Sequence, residues 1–156
     1  MCGIIGVVGK ADVVPSLIEG LKRLEYRGYD SAGIATLVND GIERRRSEGK
    51  IARLEEKVAG NGIHGDIGIG HTRWATHGVP NERNAHPHAT DRVALVHNGI
   101  IENYRELAAE LSALGHVFAS ETDSEIAAHL ITRYLNEGMT PQQAVATAIK
   151  RMDGAY

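Results

Sequence analysis

Apolar positions along the chain switch between two periods, and each switch marks an element. Gly3-Ile-Ile-Gly-Val-Val-Gly9 is a short apolar run bounded by glycine, which predicts a buried strand of central character. Over Val13–Arg23 the apolar residues Val14, Leu17, Ile18 and Leu21 fall on one helical stripe, with Pro15 tolerated in the first turn. Tyr26–Gly33 breaks periodicity and reads as a shaped loop. Ala32–Val38 and Ile42–Ser47 read as two strands joined by the turn Asn39-Asp40-Gly41. A helix over Ile51–Val58 and a strand over Ile67–His71 follow. From Gly78 to Asp91 the chain is turn-like and rich in Asn, His and Pro. Val93–His97 reads as another central strand, Tyr104–Leu114 as a helix and His116–Ala119 as a short strand. Asp123–Leu135 and Pro141–Met152 read as helices, and Asp153–Tyr156 as entry into a further strand. Strands group with strands and helices with helices, so the fold class is α+β rather than a doubly wound parallel sheet.

Composition narrows the function classes. The 156 residues match one domain, and 42% hydrophobic with 24% charged residues is globular rather than disordered. Seventeen Lys+Arg against twenty Asp+Glu give a net charge of -3, which argues against a nucleic-acid or membrane-surface binder. A lone cysteine excludes an internal disulfide and a Cys-rich zinc site. No apolar run approaches the roughly 20 residues of a membrane span. The N-terminus carries no basic segment ahead of its apolar stretch, so it does not read as a secretory signal, and the cytoplasm is the expected compartment.

Few residues offer chemistry. Cys2 reads as a small buried thiol or, once Met1 is removed, as a nucleophile whose own α-amine, pKa about 7.7–8.0, is its base. Gly3 beside it removes a side chain that would obstruct a substrate. Asn98-Gly99 reads first as a hairpin turn; its alternative is a pair of donors to an oxyanion. Asp123 suits a helix cap, yet Arg73 and Asp123 together suit the two charged ends of an amino acid. Trp74, among small and polar residues, is a packing anchor or a lid. Of eight histidines, His71, His77, His86 and His88 share one stretch, but no His-Glu-x-x-His spacing supports a metal site. Gly65-Asp-Ile-Gly-Ile-Gly70 precedes no helix, so a nucleotide fingerprint fails.

Five segments taken together resemble the class II glutamine amidotransferase domain, a family of N-terminal-nucleophile glutaminases. They are Met1-Cys2-Gly3-Ile4, Arg27-Gly-Tyr-Asp-Ser-Ala-Gly33, His71-Thr-Arg-Trp-Ala-Thr-His-Gly78, His97-Asn98-Gly99-Ile100 and Glu121-Thr122-Asp123. Within that class, Leu24–Gly33 and Asn84–His88 resemble the glutaminase half of the glutamine–fructose-6-phosphate aminotransferases. The resemblance implies a four-layer αββα sandwich of antiparallel sheets with Cys2 as nucleophile and Asn98 and Gly99 as oxyanion hole. It implies that Arg73 and Asp123 hold glutamine, that Thr76 and His77 line the pocket, and that Trp74 gates it. His86 would be structural or signalling, near a domain interface. No metal or cofactor is implied. L-glutamine is the expected partner, with fructose 6-phosphate and a homodimer only in a full-length enzyme, and neither nucleic acid nor membrane.

The same resemblance implies an incomplete domain over 1–156, with later strands and the sugar-phosphate isomerase domain missing. Two alternatives stay open. One is a glutaminase of the amidophosphoribosyltransferase type; the other is a catalytically silent fragment whose open sheet edges pair with another chain.

Overall fold

The computed structural model describes residues 2–75 and 79–156. Its frame is a four-stranded antiparallel sheet of β1 (Gly3–Val8), β2 (Ser31–Val38), β3 (Gly41–Glu48) and β4 (Ile67–Arg73), in the order β1-β4-β2-β3. Asn39 and Asp40 close the β2–β3 hairpin with positive φ at both positions, the geometry that the turn residues predict. Alternate residues of each strand point to opposite faces. On one face, Ala32 and Ile34 pack against Val14, Leu17, Ile18 and Leu21 of α1 (Val14–Lys22) and against Ile51 and Leu54 of α2 (Ile51–Gly60). This is the first core.

The second core lies among α3 (Tyr104–Ala113), α4 (Asp123–Asn136) and α5 (Pro141–Ile149). There Leu107, Leu111, Ile126, Leu130 and Tyr134 gather with Ile101, Ala144 and Ala148. Four short strands pair between the cores: β5 (His88–Ala89) with β6 (Ala94–Leu95), and β7 (Ile100–Ile101) with β8 (Gly154–Ala155), all antiparallel. Helix α4 packs on β5, β6 and β7. Ala94 of β6 faces the outer side of the main sheet, beside Leu37, Ile67 and Ile69. The resulting order is helices, sheet, short strands, helices: an α+β sandwich of antiparallel sheets.

The segment before β5 is laid directly on the main sheet. Arg44 and Arg46 of β3 share the sheet face of their β2 partners Ala35 and Gly33. Arg44 Nη1 donates to the Pro87 carbonyl at 3.1 Å, and Arg46 Nη1 donates to the carbonyls of Arg83 (2.9 Å) and Ala85 (2.8 Å). Burial lowers both guanidinium pKa values, Arg46 to about 10. Gly33 makes the approach possible: a Cβ there would sit 2.2 Å from the His86 carbonyl oxygen.

Three expectations change. The first strand is not central; β1 pairs only with β4 among the described residues, and its apolar run alternates between faces, with Ile4 and Val8 exposed. Val93–His97 contributes only two paired residues, because the chain turns in and out of a short ladder. His116–Ala119 forms no strand. The N–H groups of Ala119 and Ser120 bond instead to the Glu125 carboxylate, at 2.8 and 2.6 Å, so the segment is held by a side chain rather than a ladder.

Close packing at Gly33 gives a direct test. Gly33→Ala should destabilise the fold by about 1–3 kcal/mol through overpacking. Gly6→Ala, on the exposed edge of the same sheet with nothing within 4 Å, should stay within about 0.5 kcal/mol of the parent. Urea unfolding of both variants checks the contrast.

Candidate active site

The site forms where the two cores meet, at the ends of β1, β2 and β4. The register pairs Gly3 with Thr72 and Ser31 with Arg73, so Cys2, Asp30 and Trp74 emerge together just beyond the ladder. The Trp74 N–H donates to Cys2 Sγ at 3.2 Å. Gly3 matters here in an unexpected way. A Cβ on it would meet Leu24 and Thr72 at 2.7 and 2.8 Å, so its lack of a side chain serves packing behind the thiol rather than access in front of it.

Asp30 organises the loop that carries Trp74. Its N–H donates to the Arg73 carbonyl at 2.7 Å, and its carboxylate accepts from the Ala75 N–H and the Ser31 hydroxyl. Arg73, only 4% exposed, lies 3.8 Å from the same carboxylate and donates to the Val79 carbonyl at 3.5 Å. Trp74 is 54% exposed, with its ring over Gly28, whose φ is +74° and whose Cβ would meet the indole at 3.1 Å. It therefore stands exposed at the rim of the cavity, not as a core anchor.

From the second core come Asn98, Gly99 and Asp123. Asn98-Gly99 is no hairpin turn. The chain bends at Gly99 and continues into β7, which pairs with β8 more than fifty residues later. A Cβ on Gly99 would lie 2.2 Å from the Ala155 carbonyl oxygen, so β8 passes where a side chain would be. Asp123 is not the cap of α4. Thr122 is, accepting the Glu125 N–H, while Asp123 occupies the first helical position. There its carboxylate accepts the Ile101 N–H at 2.9 Å and the Ser124 hydroxyl at 3.4 Å, within the favourable field of the helix N-terminus.

One cavity of about 510 Å³ joins these groups, lined by Cys2, Arg73, Trp74, Asn98, Gly99 and Asp123. Thr76 and His77, also expected in the pocket, lie outside the described residues. The same cavity is lined by residues to which the sequence reading gave no pocket role: Arg27, His71, His97 and Ser124. Arg27, His71 and His97 stand in the resembling motifs and Ser124 directly follows one, which was the available signal.

Behind the cavity the histidines form a buried cluster. His71 Nε2 is 2.7 Å from Asn98 Oδ1, and the His71 ring stacks on His86 with centroids 4.2 Å apart. His86 meets His88 edge-on, and His88 Nε2 bonds to the Thr122 hydroxyl at 2.9 Å. His97 Nδ1 is 2.9 Å from the Ser124 hydroxyl. Among the described residues no group of three or more His, Cys, Asp or Glu is placed to hold a metal. Burial keeps the rings neutral: the His71 pKa is lowered to about 4 and that of His88 to about 2, where Arg46 and Arg44 add to the effect of burial. His86 is lowered as well, first by burial and then by its ring neighbours, and His97 by burial.

These rings make stability depend on pH. The unfolded chain takes up protons near pH 6.5 that the folded cluster refuses. Stability is therefore fully present above about pH 6.5 and falls as pH drops toward about 4, by up to about 1.4 kcal/mol per pH unit for each such ring. Urea midpoints across this window should fall accordingly, and His88→Gln should flatten the slope.

Comparison with known proteins agrees with this geometry. A family model described as a glutamine amidotransferase domain matches residues 71–156. A glutamine–fructose-6-phosphate aminotransferase (isomerizing) of Bartonella henselae is 60% identical over 156 residues, covering 100% of this chain and 26% of its own. One from Mesorhizobium japonicum is 56% identical over the same residues. The chain thus spans about a quarter of the length of these curated relatives. Among solved structures, the glutamine phosphoribosylpyrophosphate amidotransferase of B. subtilis superposes with a TM-score of 0.82 at 26% identity, over 100% of this chain and 34% of its own. A structure described as the allosteric regulatory enzyme of purine biosynthesis gives 0.82 at 27% identity. The α+β arrangement is the N-terminal-nucleophile type that these amidotransferases share, and no helix among the described residues is long and apolar enough to cross a membrane. With more than half of its residues matched by the family model, the chain belongs to the glutamine amidotransferase domain family.

Proposed function

We propose that this chain hydrolyses the side-chain amide of L-glutamine, with Cys2 as nucleophile, and supplies ammonia for making glucosamine 6-phosphate from fructose 6-phosphate. The observation that carries the reading is the single cavity that collects a thiol, a carboxamide, a buried cation and a buried anion. Arg73 and Asp123 suit the α-carboxylate and α-ammonium of an amino acid, leaving its side chain to reach toward Cys2. The Trp74 N–H donates to the sulfur, which fixes where the thiol stands in the cavity.

With Met1 removed, the Cys2 α-amine takes the thiol proton and the thiolate adds to the amide carbon. The carbonyl π electrons become an oxyanion, which the Asn98 carboxamide and the Gly99 N–H stabilise. The ammonium formed at Cys2 returns the proton to the departing nitrogen, releasing ammonia and leaving a γ-glutamyl thioester. Water, deprotonated by the same amine, adds to the thioester carbon; the C–S bond then breaks, the ammonium returns its proton to the departing thiolate, and glutamate is released. The Trp74 rim governs exit from the cavity.

The remaining three quarters of such a protein would carry the sugar-phosphate site, as the names of the relatives suggest, in a cytoplasmic homodimer. Identity of 56–60% to the fructose-6-phosphate aminotransferases, against 26–27% to the phosphoribosyl enzymes, favours the sugar reading over the purine one.

Cys2→Ala should abolish glutamine hydrolysis, and retention of Met1 should do nearly the same, because an amide nitrogen cannot accept the thiol proton. Glutaminase assays on samples with intact masses recorded check this; activity in a sample still carrying Met1 would contradict it. Arg73→Met and Asp123→Asn should each raise the KM for glutamine by about 30-fold, about 2 kcal/mol, with alkylation of Cys2 by small reagents unaffected. The asparagine keeps an acceptor for the Ile101 N–H, so the loss reports charge rather than folding.

A further inference from the structure

We propose that His71 is a positioning residue for the oxyanion hole: its Nε2–H holds the Asn98 carboxamide by its oxygen, so that the NH2 end is the one presented to the reacting carbonyl. The proposal rests on the reading of Asn98 as an oxyanion donor.

A carboxamide has two nearly isosteric ends of opposite polarity. Turned one way, Asn98 offers a donor to a growing negative charge; turned the other way, it offers a lone pair that repels it. Nothing in the side chain itself selects between them. His71 does. It lines the same cavity, and its Nε2 lies 2.7 Å from Asn98 Oδ1, a distance that requires a proton on that nitrogen. The other tautomer would put the ring proton on Nδ1, which is buried with no hydrogen-bond partner among the described residues. A buried donor left unsatisfied there would lose its hydration with nothing in return.

The ring has little freedom to turn. His71 is 1% exposed, sits in mid-sheet on β4 between Ile4 of β1 and Gly33 of β2, and stacks on His86 at an interplanar angle of 20°. His86 in turn accepts the His97 N–H on Nδ1 at 3.3 Å, which fixes the backbone one residue before Asn98. Carboxamide and main chain are therefore both anchored to one pair of stacked rings. Burial keeps His71 neutral above about pH 4, so its tautomer, not its charge, carries the effect. No step of the proposed chemistry uses His71 as acid or base, and the pocket cation and anion that face glutamine are other residues.

The test uses the full chain with Met1 removed and follows kcat and KM for glutamine together with inhibition by glutamate γ-semialdehyde. Cys2 adds to that aldehyde to give a tetrahedral adduct whose oxygen occupies the oxyanion site. His71→Leu should lower kcat by about tenfold to hundredfold and weaken the aldehyde by a similar factor. KM and inhibition by the product glutamate should stay within about twofold, because ground-state binding does not use the oxyanion site. His71→Gln, which can place an amide N–H near the position of Nε2, should recover most of the rate. In an Asn98→Ala background His71→Leu should change kcat by less than about threefold, since there is no carboxamide left to orient. An unchanged kcat in His71→Leu beside a collapsed rate in Asn98→Ala would overturn the positioning role while leaving the oxyanion reading intact. So would equal losses from His71→Leu in both backgrounds, or a glutamine variant as impaired as the leucine one. An intact rate in Asn98→Ala would overturn the oxyanion reading itself, and this role with it.

Discussion

Laying a stretch of irregular chain on the face of a sheet is costly unless its carbonyl groups find donors, and this structure depends on how that requirement is met. The stretch from Arg83 to Pro87 crosses the outer face of the main sheet, where no ladder partner is offered. Two guanidinium groups of β3 supply the donors, and the missing side chain of Gly33 supplies the room. Arginine suits the task because its planar fork reaches several carbonyls at once and stays charged even when burial lowers its pKa. Lys57 extends the clamp, donating to the Arg46 carbonyl at 2.9 Å and pairing with Glu82. Everything nearer the cavity is stacked on this platform.

The platform also explains the unusual electrostatics behind the site. His86 and His88 are carried on the clamped segment, and His71 stands on the sheet beneath it. Arg44, Arg46 and Arg73 surround the rings, so a protonated imidazole would be both desolvated and repelled. Neutral rings keep one donor and one acceptor each, which lets them orient neighbouring groups without adding charge to a pocket that already holds Arg73 and Asp123. The clustering of His71, His86 and His88 thus serves hydrogen-bond geometry in the fold.

Each half of the pocket belongs to a different core. Cys2, Arg73 and Trp74 ride on the sheet packed by α1 and α2, whereas Asn98, Gly99 and Asp123 ride on β7 and α4. Relative placement of the thiol and its proposed oxyanion donors therefore depends on contacts between the cores, among which the bond from His71 to Asn98 is direct. The relatives are about four times as long as this chain.

Much was legible in advance, and the limits have physical causes. The α1 stripe, the Asn39-Asp40 hairpin and the helices α4 and α5 were readable because local periodicity and turn chemistry act within a few residues. Of the two-residue strands, β6 and β8 fall within Val93–His97 and Asp153–Tyr156, which read as extended, whereas β5 and β7 were not readable, since a ladder so short leaves no period. The sequence by itself determined the α+β class, the amphipathic helices and the set of chemically capable residues. Only the tertiary structure decided that Asn98-Gly99 is not a turn, because the reason is β8 arriving from the far end of the chain. Likewise it alone put Asp123 under the Ile101 N–H, 22 residues away within the second core, and His71 against the Asn98 oxygen, 27 residues away, a pair that meets only when the two cores close.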